Sequence, residues 1–155
     1  MADAWQGIRL SVQSHGRYLE PIRLIVRETC DLVDLTEEQA GEVVLAVQEA
    51  LANVIRHCYK DSPDLRIDLC LTLPGDRLEI RIDDYGSFVD PASIRGRALE
   101  DVRPGGLGVH FMRKVMDEVR YEKNAWGGTA LTMVKALGAA TGGGNPGGAA
   151  AGAGD

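Results

Sequence analysis

The stretch from Arg66 to Asp83, RIDLCLTLPGDRLEIRID, places an apolar residue at every second position on both sides of a three-residue break. Ile67, Leu69, Leu71 and Leu73 alternate with other residues on one side, and Leu78, Ile80 and Ile82 do so on the other. A period of two belongs to a strand with one buried face, and Pro74-Gly75-Asp76 is turn chemistry, so the segment predicts an antiparallel hairpin. A two-stranded ribbon cannot cover its own apolar face in water. The rest of the chain therefore has to supply more strands and a layer of helices.

The remaining periodicities supply both. Ile8, Leu10 and Val12 alternate in IRLSV, and EVRYE and TALTMVK, joined through NAWGG, read as two further strands. Ile22, Ile25, Val26, Thr29, Leu32 and Val33 recur at helical spacing over residues 16–33, with Pro21 near the first turn where its missing N–H does least harm. Thr36 to Gln39, TEEQ, has the form of a capping box and opens a second helix reaching about Tyr59. Its buried stripe is expected to be Val44, Val47, Leu51, Val54, Ile55 and Cys58. A third apolar pattern, Leu107, Phe111, Met112, Val115 and Met116, follows a run of glycines. Helices and strands do not alternate strictly, which excludes a doubly wound sheet. The expected fold is a two-layer α/β (α+β) sandwich with a mixed, largely antiparallel sheet and helices on one face.

The chain's 155 residues suit one domain, and 45% hydrophobic with 26% charged residues is ordinary for a soluble globule. A formal net charge of −6 argues against nucleic acid or an anionic membrane as main partner, since both call for a basic surface. Cys30, Cys58 and Cys70 are odd in number and form no Cys-x-x-Cys, so reduced, buried thiols in a cytoplasmic protein are expected. The opening MADAWQGIRL has no basic and apolar leader, and no run approaches 18 apolar residues, so neither export nor a membrane span is expected. From Gly138 onward the sequence is nearly all Gly and Ala without periodicity. That composition predicts a disordered tail over 138–155 behind a folded domain at 5–137.

Three places carry candidate chemistry. On the second helix Glu49, Asn53 and His57 are spaced i, i+4, i+8, which sets a carboxylate, an amide and an imidazole in one row; a solvated polar face reads the same way. On the hairpin, alternation puts Asp84 on the core face with Leu78, Ile80 and Ile82, while Asp83 is expected to point to solvent. A core-side carboxylate needs donors, either backbone N–H groups or a ligand amine in a pocket opened by Gly86. The third place is the aperiodic stretch from Tyr85 to Pro104, which holds Arg95, Arg97 and Arg103 and runs into Gly105, Gly106, Leu107 and Gly108 at a helix start. It reads either as a surface loop or as a basic flap leading to an anion-binding helix N-terminus.

The order Glu49-x-x-x-Asn53-x-x-x-His57, Asp84-x-Gly86, GGLGVHFMRKVMDEV and GGTALTMVK resembles the GHKL ATPases with the Bergerat fold, and among them the bacterial anti-sigma-factor serine kinases. The resemblance implies binding of ATP with Mg²⁺ and phosphorylation of a serine on an anti-anti-sigma antagonist protein, which regulates sigma factor availability. It implies Glu49 as catalytic base, Asn53 as the Mg²⁺ ligand, Asp84 at the adenine, Gly106 and Gly108 at the phosphates, and Thr129 lining the adenine pocket. His57, Gly86, Arg103, Gly105 and Leu107 complete the implied nucleotide-binding set, and a homodimer is the implied assembly. The wider superfamily has Asp-x-Gly-x-Gly in the second motif, where this chain has Phe88 in the last position. A non-catalytic module whose nucleotide state switches partner affinity, with Glu49 idle, is the alternative function.

Overall fold

The computed structural model describes residues 7–88, 90 and 104–138. Strand β1 (Gly7–Gln13) leads through a 3-10 turn (Gly16–Tyr18) into helices α1 (Leu19–Leu32) and α2 (Glu37–Asn53), and α2 continues as a π turn (Val54–Cys58). The hairpin of β2 (Arg66–Thr72) and β3 (Arg77–Asp84) follows, then α3 (Pro104–Val115), β4 (Glu118–Lys123) and β5 (Thr129–Ala136). Arg95, Arg97, Arg103 and the tail beyond Gly138 lie outside the described residues.

The capping box forms as the sequence predicts. Thr36 Oγ1 accepts from Gln39 N at 3.2 Å and Gln39 Oε1 accepts from Thr36 N at 3.0 Å, which satisfies two N–H groups that the start of a helix leaves without a partner. Such a cap stabilises by about 1 kcal/mol. It sets the start of α2, which packs between α1 and α3. Among the described residues no helix is long and apolar enough to cross a membrane.

The five strands run in the order β1-β2-β3-β5-β4, and every neighbouring pair is antiparallel. The expected mixed sheet is thus corrected to an antiparallel one across the described strands. The chain does make a parallel return, from β3 through α3 to β4, but β5 is inserted between those two strands, so no parallel ladder forms. Alternation then sorts the two faces. Ile67, Leu69, Leu71, Leu78, Ile80, Ile82 and Met133 point into one core with residues of all three helices. Arg9, Asp68, Cys70, Arg81 and Asp83 share the opposite face. Each fully buried Leu or Ile contributes about 1.5–3 kcal/mol, which is what holds the helical layer to the sheet.

Several positions expected in the core lie elsewhere. On α2 the buried arc is Ala40, Val43, Ala46, Val47, Ala50 and Leu51, with Val44 and Ile55 only partly buried and Cys58 exposed. A helix packed between two others beneath a sheet buries a wide arc, and its alanines permit the close approach. Leu32, 76% exposed, is the last residue of α1; Leu73 lies past the end of β2; and Leu107, 62% exposed, lies at the open rim between α2 and α3. Of the three thiols only Cys30 is fully buried.

Candidate functional site

Asp84 closes β3 on the core-facing side and is 2% exposed. Its Oδ1 accepts from Gly86 N at 3.0 Å and from Thr129 N at 3.2 Å, so the two segments implied at the adenine converge on one carboxylate oxygen. A third segment, not expected there, is the π turn of α2. There Cys58, exposed along part of its surface, turns its thiol toward Asp84, and the thiol's desolvation, followed by the negative charge of Asp84 and hydrogen bonding to it, pushes it up to about 11. Gly86 lies against both, since a Cβ there would meet Asp84 Oδ1 at 3.4 Å and the Cβ and carbonyl oxygen of Cys58 at 3.7 Å. Tyr59 secures the junction from the other side: its hydroxyl donates to Arg66 O at 2.5 Å and accepts from Tyr85 N at 2.7 Å.

The turn from β4 to β5 completes this corner. Gly127 has φ +86, a left-handed conformation that suits glycine, and Gly128 is pressed on β3 so closely that a Cβ would be 2.2 Å from Asp84 O. Phe88, the residue in place of the second-motif glycine, donates its N–H to Gly127 O at 3.0 Å. The chain leaving Asp84 is therefore anchored to this turn four residues on. Asp83, expected at the surface, is 6% exposed: Arg81 pairs with it at 2.7 Å and Asn124 Nδ2 donates to it at 3.2 Å, so the neighbouring strand's turn covers the outer face there.

Glu49 and the glycine run meet where α2 packs on α3. Gly108 is buried, and a Cβ at that position would be 2.6 Å from Glu49 Oε2. Glycine at this position lets the Glu49 carboxylate lie directly against α3, and a methyl there would displace that carboxylate. Leu45, Glu49, Leu107, Gly108 and Phe111 line a cavity of about 240 Å³ between the two helices. Asn53 is half-buried at the end of α2, about 6 Å along the axis from Glu49, between that cavity and Cys58. His57 is exposed in the π turn, and its imidazole makes no hydrogen bond among the described residues. Gly105 and Gly106 fall in the first turn of α3.

The structure thus brings Asp84, Gly86 and Thr129 to one corner and Glu49 and Gly108 to another, with Asn53 on the helix that joins them. Three contributors were not read from the sequence: Cys58, taken for a core residue; Gly128; and Asn124, whose buried amide spans β3 and β5. The only signal for the last two is the NAWGG turn itself, an asparagine followed by a glycine pair.

The donor set is compatible with an adenine nucleotide and a hard cation. A buried carboxylate at Asp84 offers an acceptor to an exocyclic amine, and Gly86 leaves room beside it. Among the described residues no three His, Cys, Asp or Glu side chains cluster as a metal cage. A cation held through the Asn53 amide would take its other oxygens from phosphates and water, the coordination Mg²⁺ favours.

Comparison with known proteins agrees with this geometry. A family model for the histidine kinase-like ATPase domain matches residues 12–135. The serine-protein kinase RsbW of Bacillus subtilis is 26% identical over 138 residues, covering 84% of this chain and 85% of the relative. RsbW of Staphylococcus epidermidis is 26% identical over 137 residues, covering 83% and 85%. Two solved structures share the fold: the RsbU and RsbW domains of Rv1364c from Mycobacterium tuberculosis (TM-score 0.62, 18% identity, 86% of this chain and 33% of that one), and the SiaB–SiaC complex from Pseudomonas aeruginosa (TM-score 0.64, 12% identity, 82% and 88%). With the match extending from β1 into β5, through every element that builds the two corners, the chain belongs to the histidine kinase-like ATPase domain family.

Proposed function

We propose that this protein is an anti-sigma-factor-type serine kinase that binds ATP with Mg²⁺ and phosphorylates a serine of an anti-anti-sigma antagonist protein, so setting how much sigma factor is free. The observation that carries the reading is the convergence of Gly86 N and Thr129 N on the buried Asp84 carboxyl, with Glu49 against Gly108 where α2 packs on α3. The likeness to serine-protein kinase RsbW over most of both chains supports the choice of substrate class.

In this reading Asp84 accepts from the adenine amine and Thr129 and Gly86 hold the carboxylate in place. Asn53 would hold Mg²⁺, and the N–H groups at the start of α3, around Gly105, Gly106, Leu107 and Gly108, would hold the phosphates with Arg103. His57 lies at the rim. ATP with Mg²⁺ supplies the transferable phosphoryl group with part of its charge neutralised. Glu49 then takes the proton of the incoming serine hydroxyl, and the packing of α2 on α3 orients its carboxylate. The folded unit is 5–137, the partners are the antagonist protein and a sigma factor, the compartment is the cytoplasm and the assembly is a homodimer, which light scattering at tens of micromolar tests directly.

The decisive experiment is Glu49→Gln with labelled ATP and the cognate antagonist. Phosphoryl transfer should fall by about 10²- to 10⁴-fold with ATP affinity nearly unchanged. Equal transfer by both proteins removes Glu49 from the chemistry, and ATP binding without transfer in the wild type leaves a nucleotide-dependent binding module.

A further inference from the structure

The β3–β5 ladder ends at the pair Asp83 and Ala130, and the β4–β5 ladder ends at Lys123 and Thr129. Asp84 and Thr129, both placed at the base-binding corner, therefore lie one step beyond the last β3–β5 rung. What joins them there is a side chain. Asn124 is 6% exposed, and its Nδ2 donates to Asp84 O at 2.8 Å, to Thr129 O at 3.1 Å and to Asp83 Oδ1 at 3.2 Å. Its Oδ1 accepts from Gly128 N at 2.9 Å and from Trp126 N at 3.1 Å. One amide thus bridges the two backbones where the regular rung is missing and holds the turn that carries Gly128.

We infer that Asn124 is a positioning residue for base recognition: by fixing Asp84 O and Thr129 O together it sets the Thr129 N to Asp84 Oδ1 bond, and so aims the carboxylate that selects an amino purine over a 6-oxopurine. The inference rests on the proposed role of Asp84 as the adenine acceptor. A buried carboxylate discriminates only while its oxygen is held at the amine. Released from Asn124, Asp84 and Thr129 keep between them the single bond from Thr129 N to Asp84 Oδ1, with no backbone rung or amide bridge behind it, and the carboxylate turns within the corner. The sugar and phosphate contacts, made near α3 and Asn53, are left unchanged. A positioning role therefore appears as lost selectivity, not as uniform weakening.

The test measures binding of MgATP and MgITP, whose base carries an oxygen where adenine has its amine, to the wild type and to Asn124→Ser by calorimetry. The wild type is expected to prefer ATP. In Asn124→Ser, ATP affinity should fall about 10- to 100-fold while ITP affinity stays constant, so the preference collapses. Asn124→Ala, which removes the same three donations without placing a charge beside Asp83, should behave the same way and serves if the serine variant fails to fold. Equal weakening of both nucleotides, or an unchanged ratio, overturns the inference and leaves the Asp84 assignment standing. A wild type that binds both alike overturns the Asp84 assignment and the inference with it.

Discussion

Gly128→Ala should be the most damaging single-methyl change at the candidate site. A Cβ at Gly128 would be 2.2 Å from Asp84 O and 2.8 Å from both Asp84 C and Asp84 Oδ1. Ordinary contact lies above 3.4 Å, and backbone atoms cannot turn aside as the end of a side chain can, so β5 must move from β3 by about 1 Å. That movement lengthens the Thr129 N to Asp84 Oδ1 bond and the Asn124 Nδ2 to Asp84 O bond beyond useful range. Overpacking of this kind costs about 1–3 kcal/mol, and each lost hydrogen bond costs about 0.5–1.5 kcal/mol, for a total of about 2–6 kcal/mol. For a domain of this size the melting temperature should drop by roughly 4–24 °C. Gly127→Ala is the control: its φ of +86 makes alanine strained by about 1–2 kcal/mol, but nothing lies within 4 Å of the added methyl. Thermal unfolding followed by circular dichroism, with MgATP calorimetry on each folded variant, measures both effects. A Gly128→Ala protein melting as the wild type does, or no lower than Gly127→Ala, would refute the close-approach reasoning.

Asp84→Asn keeps an oxygen for Gly86 N and Thr129 N while presenting an amide to the adenine amine, so the fold should survive and MgATP affinity should fall by about 10- to 100-fold; calorimetry with a melting curve reads both. Gly108→Ala meets only the movable end of Glu49, and alanine favours a helix by about 0.5–1 kcal/mol, so stability should hold or rise while phosphoryl transfer at saturating ATP falls by about 10²-fold as the carboxylate is displaced. With its thiol pushed up from 9.0 to about 11, Cys58 should be alkylated at pH 8 about 100-fold more slowly than an ordinary exposed thiol, read by peptide mass spectrometry. The sign for stability follows from the same shift and from that of Cys30, also up to about 11: the folded state holds these protons more tightly, so their stabilisation is complete below about pH 9 and is lost as the pH rises toward 11, which urea unfolding across that range measures.

Much of the architecture is legible in the chain because it depends on local geometry. Alternation in RIDLCLTL and RLEIRID follows from the pleat, TEEQ marks a helix start because the donors it satisfies lie within one turn, and the helical periods follow from 3.6 residues per turn. The order of Glu49, Asn53, Asp84, Gly108 and Thr129 is likewise a property of the chain and points to the family without coordinates. Tertiary structure decided the rest. Insertion of β5 between β3 and β4 made the sheet antiparallel, covered Asp83, and set Gly128 against Asp84. Packing of α2 against α3 pressed Gly108 on Glu49 and moved the buried arc of α2 onto Val43, Ala46 and Ala50. Asn124 bonds residues 40 and 41 positions away. No period of two or 3.6 encodes such a contact, because it depends on which strands become neighbours, and that is set by burying all the apolar faces at once.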